Sequence, residues 1–124
     1  MIISPPFLPA RNANEAEDAY LNRAMTIAAH GRYPVSELLG WHGGMHLSAP
    51  AGNNNARLPV RAIADGTVVY VRQPTAMPAN TDNHALGYNG WTDDGCVVIR
   101  HDNAIGAAGD TETTVRFFSV YLHL

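Results

Sequence analysis

The chain has 124 residues and a mass of 13.4 kDa, enough for one hydrophobic core. Its eight basic residues are all arginine, against eleven acidic ones, giving a net charge of −3 and a pI near 6.0. This balance speaks against a nucleic-acid surface that tracks phosphates, and the lack of lysine excludes a P-loop, a Schiff-base enzyme and a lipoyl or biotinyl carrier.

Eleven glycines and eight prolines favour a strand-and-loop protein over a helical bundle. The single cysteine, Cys96, rules out an intrachain disulfide and a cysteine-based zinc cluster, and in its apolar run it is expected as a buried small hydrophobe, with a catalytic thiol as the alternative. No stretch approaches the roughly 20 apolar residues of a membrane span. The start, Met1 to Phe7, has no basic segment and carries two prolines, so a Sec signal peptide is not expected.

In chain order, residues 1–13 read as an extended lead. A helix is expected over 14–30, with Asn14 as cap, Glu17 at the capping-box offset, and Leu21, Ala24, Met25 and Ala28 on one face. Gly31 is its expected stop, His30 sits in its last turn, and Pro34 prevents its continuation. Strands are expected over 66–72, 96–101 and 115–124. In the third, Val115, Phe117, Ser119, Tyr121 and His123 should share one face. Between the first two strands lies a long polar loop, residues 73–95, expected to border a functional groove and to restrict what enters it. Asp65-Gly66 and Asp93-Asp94-Gly95 read as turns. The expected fold class is mainly β, a β-rich α+β chain with antiparallel sheets and the helix packed outside them.

The histidines are the main candidates for chemistry. His42 and His46 form the sharpest pair, in Trp41-His42-Gly43-Gly44-Met45-His46, where the two glycines suggest a tight turn that converges both imidazoles on one ion. His101 ends a strand and is expected to make a structural hydrogen bond, and His84 to be solvated. Trp41 is expected in the core, whereas Tyr88 and Trp91 are candidates to line a substrate groove.

His42-Gly43-Gly44-Met45-His46 resembles the first motif, His-x-Gly-x-Asp, of the lysostaphin-like (LytM-type) zinc endopeptidases that hydrolyse peptidoglycan. The likeness continues through Ser48-Ala49-Pro50-Ala51-Gly52, Pro59-Val60-Arg61-Ala62-Ile63-Ala64-Asp65-Gly66-Thr67-Val68, Val97-Val98-Ile99-Arg100-His101 and Tyr121-Leu122-His123-Leu124, in the family's order. It covers residues 41–124, so residues 1–40 read as an N-terminal extension and 41–124 as an incomplete peptidase domain. The resemblance implies zinc held by His42 and His46, with His46 where the family has aspartate, and His123 as a catalytic histidine outside the metal shell. The family's closing His-x-His motif does not occur.

The resemblance further implies a peptidoglycan peptide as substrate and a second polypeptide segment that supplies His-x-His. The 124 residues alone are then expected to be inactive and incompletely stable. Without a Sec signal, a lysis enzyme or a delivered antibacterial effector is expected, acting at the cell wall or periplasm of a target cell. The alternatives are a non-catalytic domain of the same type that binds or activates a cell-wall partner, and a structural fragment whose histidines bind nothing.

Overall fold

A computed structural model describes residues 2–27, 32–35, 39–52, 56–75, 87–88, 91–92, 94–106 and 113–124, with backbone only for 87–88 and 91–92. The chain divides into two compact units, Ile3–Ile63 and Ala64–Leu124, the latter with Ile2.

In the first unit the lead is extended and tied to residues 61–63. Ser4 N–H donates to the Ile63 carbonyl at 2.8 Å and Arg61 N–H to the Pro6 carbonyl at 2.9 Å, which buries Phe7. One helix follows, α1, Glu17–Ala24. It is shorter at both ends than the expected 14–30, as far as the chain is described. Asn14 adopts a φ of 61° and caps nothing, and the N-cap position falls to Ala16, which makes no side-chain cap bond. The carboxylates that would build a capping box are engaged elsewhere. Glu17 pairs with Arg11, and Glu15 accepts the Asn12 N–H at 3.1 Å and an Arg23 ion pair at 2.7 Å.

At the far end of α1, Met25 N–H closes the last turn on the Leu21 carbonyl. Ile27 then crosses to Leu47 in a β-bridge, and Ser48 N–H donates to the Thr26 carbonyl, so tertiary pairing ends the helix. The buried face is Tyr20 and Ala24 rather than Leu21, Ala24 and Met25. Tyr20 wins because its ring is covered by the Arg11 guanidinium, 4.3 Å from the centroid. Ala28, His30 and Gly31 lie outside the described residues.

The second unit is a three-stranded antiparallel sheet of β1 (Thr67–Arg72), β4 (Cys96–Ile105) and β5 (Thr113–Leu122) in the order β1-β4-β5. Two short segments, β2 (Gly87–Tyr88) and β3 (Trp91–Thr92), pair separately. The described chain is therefore mainly β. The hairpin β4–β5 is longer than expected, because the ladder continues from His101↔Phe117 out to Ile105↔Thr113. Its cross-strand bonds hold residues of low strand propensity, such as Asp102 and Asn103, in extended conformation. A register shift in β1 lies between Val68 and Tyr70.

The alternation in β5 follows the expected faces up to Tyr121. Val115, Phe117, Ser119 and Tyr121 are at least partly covered, whereas Arg116, Phe118, Val120 and Leu122 are exposed. The covered side centres on Ile99, His101 and Ser119. No helix among the described residues is long and apolar enough to cross a membrane.

Candidate metal centre

The His42–His46 turn is held at both ends by pairings to earlier chain. Trp41 bridges Val35, His42 N–H donates to the Pro34 carbonyl at 2.9 Å, and Leu47 bridges Ile27. These three ties draw residues 42–46 into a tight loop. Neither glycine is required sterically: Gly43 and Gly44 lack a positive φ, and a Cβ on either would meet nothing closer than 4.0 Å. The convergence comes from the flanking bridges, a different cause from the glycine-driven turn expected from sequence.

Within the loop, His42 Nε2 and His46 Nε2 are 3.2 Å apart, with ring centroids 4.7 Å apart and planes at 82°. His42 Nδ1 lies 2.6 Å from the Gly44 carbonyl oxygen. That oxygen only accepts, so Nδ1 carries the proton and donates. An uncharged imidazole with Nδ1 so engaged presents its lone pair on Nε2, toward His46.

These residues fit a zinc ion. With Zn–N bonds of about 2.0–2.1 Å and tetrahedral angles, two ligating nitrogens stand roughly 3.3 Å apart. The His42 Nδ1–H···O=C bond is the type of outer contact that orients ligating histidines. Among the described residues, no group of three His, Cys, Asp or Glu side chains forms around this pair.

His123 belongs to the other unit. It does not share the strand face with Phe117, Ser119 and Tyr121, because β5 ends at Leu122 and His123 turns into the left-handed region, φ 62°. Its side chain thereby leaves the two-residue alternation and is exposed. Tyr88 and Trp91 face each other in the β2–β3 register, and their side chains lie outside the described residues, as does His84. Trp41 is not a core residue. It is 76% exposed and meets Tyr33 edge-on at 6.0 Å, because the bridge to Val35 holds it at the surface.

His101 is fully buried and makes structural hydrogen bonds, to the Asp65 carbonyl through Nδ1 and to Ser119 Oγ through Nε2, both at 2.8 Å, while stacking on Phe117. Cys96 is a half-buried free thiol. Asp94, read as a simple turn residue, has a nearly buried carboxylate that receives Arg72 Nη2 at 2.6 Å and Thr75 N–H at 2.7 Å, closing the base of the long loop. The hydroxyl of Ser119 within an apolar alternating strand was the one sequence signal for a partner on the neighbouring strand. The Asp94 clamp spans 22 residues and has no local signature.

Searches against protein-family models, curated proteins and solved structures returned no match to this chain.

Proposed function

We propose that this chain is a lysostaphin-like (LytM-type) zinc endopeptidase that hydrolyses peptide cross-links of bacterial peptidoglycan, at the wall or periplasm of a target cell. The observation that carries the proposal is the pair of Nε2 atoms of His42 and His46 at 3.2 Å, with the His42 lone pair oriented by the Gly44 carbonyl. It is supported by the order of the family-like motifs along residues 41–124.

In this reading His42 and His46 would hold a zinc ion, which when bound would supply an acidified water and polarise the scissile carbonyl. His123, assigned by its Tyr-x-His-Leu motif, would be the catalytic histidine outside the metal shell, able to take a water's proton or to stabilise a developing oxyanion. Tyr88 and Trp91 would be the residues that contact the peptide. A hydrolytic zinc takes three protein ligands, so a segment carrying His-x-His completes the set, with its second histidine as ligand.

The test is zinc content after metal loading and gel filtration, for the wild type, His42→Ala and His46→Ala, together with amino-group release from purified sacculi with and without a His-x-His segment. One zinc in the wild type, none in either variant, and cleavage that needs the segment are expected. Equal zinc in all three proteins overturns the metal site. Zinc retention and sacculus binding with no new amino groups overturns the enzyme and leaves the non-catalytic cell-wall domain.

A further inference from the structure

Gly95 is buried and packs directly on the backbone of Leu124. A Cβ on Gly95 would overlap the Leu124 carbonyl oxygen and lie 3.0 Å from its carbon and 3.4 Å from its Cα. These are backbone atoms, which cannot swing aside as a side chain would. The same two residues are joined by a hydrogen bond, Leu124 N–H to the Gly95 carbonyl at 3.4 Å. Two positions before Leu124, at the end of β5, Leu122 pairs with Cys96 in the sheet.

His123 is therefore held from both sides, by the Leu122–Cys96 pairing before it and the Leu124–Gly95 contact after it. Between these anchors it takes a φ of 62°, a region that L-residues visit rarely and only when surrounding structure imposes it. The anchor is itself fixed. Asp94, adjacent to Gly95, is nearly buried and clamped by Arg72 and by the Thr75 N–H.

We propose that Gly95 is a positioning residue for His123. Its missing Cβ admits the Leu124 backbone, and this sets the left-handed turn that aims the His123 imidazole out of the strand alternation. The Arg72–Asp94 pair holds Gly95 in place for that contact. The inference rests on the catalytic role proposed for His123 and adds to it a residue with no chemistry of its own.

The test compares wild type, Gly95→Ala and Asp94→Asn by NMR of the histidine imidazoles, by zinc content, and by sacculus cleavage in the presence of the His-x-His segment. In Gly95→Ala, the His123 signals should shift while those of His42 and the zinc content stay as in wild type. Its kcat should fall by at least about tenfold with KM little changed, since a misplacement of roughly 1 Å costs on the order of 100-fold. Asp94→Asn should move the same His123 signals in a smaller step. If Gly95→Ala does not fold, Asp94→Asn decides alone. Unchanged His123 signals in a folded variant overturn the proposal, as does a shift accompanied by unchanged kcat. If the wild type cleaves nothing, the peptidase reading fails by itself, and the His123 shift still decides whether Gly95 sets its orientation.

Discussion

Ser119 Oγ lies 2.8 Å from His101 Nε2 inside the covered face of the sheet, on the diagonal two residues off the direct cross-strand pairs His101↔Phe117 and Ile99↔Ser119. The Asp65 carbonyl only accepts, so His101 donates to it through Nδ1 and receives the Ser119 hydroxyl at Nε2. Every polar atom of a fully buried ring is thus satisfied.

Removing that hydroxyl should therefore cost more than an exposed serine would. Ser119→Ala leaves Nε2 buried without a partner, and should destabilise the protein by about 1–3 kcal/mol. Urea unfolding followed by circular dichroism checks this. A change within error of wild type would show that another group or a water takes the place of the hydroxyl.

Gly66 should tolerate no side chain. A Cβ there would meet the Arg100 carbonyl oxygen at 2.6 Å, His101 Nδ1 at 2.7 Å and Ile99 Cγ2 at 2.7 Å. Gly66→Ala should push β1 off β4, weaken the His101–Asp65 bond and cost about 1–3 kcal/mol, the usual range for overpacking. Amide hydrogen exchange should show the loss concentrated in β1 and β4, and uniform protection would contradict it.

His46 should accept aspartate but not alanine. Zinc also takes carboxylate oxygen as a ligand, so His46→Asp should retain one zinc. His46→Ala should weaken binding by more than about 100-fold, because even outer-contact losses cost 10–100-fold. Calorimetric titration with zinc measures both, and equal affinities for the two variants would remove His46 from the site.

Stability should fall on acidification through a defined window. Arg23, and after it the Asn12 N–H, hold the Glu15 carboxyl down at about 2, from an ordinary value of 4.5. Arg116, and after it Arg100, lower the Asp102 carboxyl in the same direction. A folded-state pKa below the unfolded one contributes stability that is complete above the unfolded value and lost as pH falls through the folded one. The thermal midpoint should thus drop between pH 4.5 and 2. Glu15→Gln should lower the midpoint at pH 7 and leave it close to wild type at pH 2. A variant with the full acid sensitivity of wild type would assign that sensitivity to other carboxylates.

The sequence by itself determined the parts that depend on neighbours in the chain. The runs at 66–72, 96–101 and 115–124 declare strands through β-branched content and two-residue alternation, and all three form, the first from Thr67 and the third ending at Leu122. The four-residue spacing of His42 and His46 marked them as a pair. Tertiary structure decided what depends on distant partners. Helix α1 stops at Ala24 because Ile27 is claimed by Leu47, and its cap fails because Glu15 and Glu17 are claimed by Arg23 and Arg11. Trp41 is at the surface because Val35 holds it there, and His101 needs a carbonyl 36 residues away and a hydroxyl on the next strand. His123 leaves its strand because Leu124 docks on Gly95. Local propensities are worth tenths of a kcal/mol to about 1 kcal/mol per residue, so several bridges and backbone contacts acting together outweigh them, and these are not written in the local pattern.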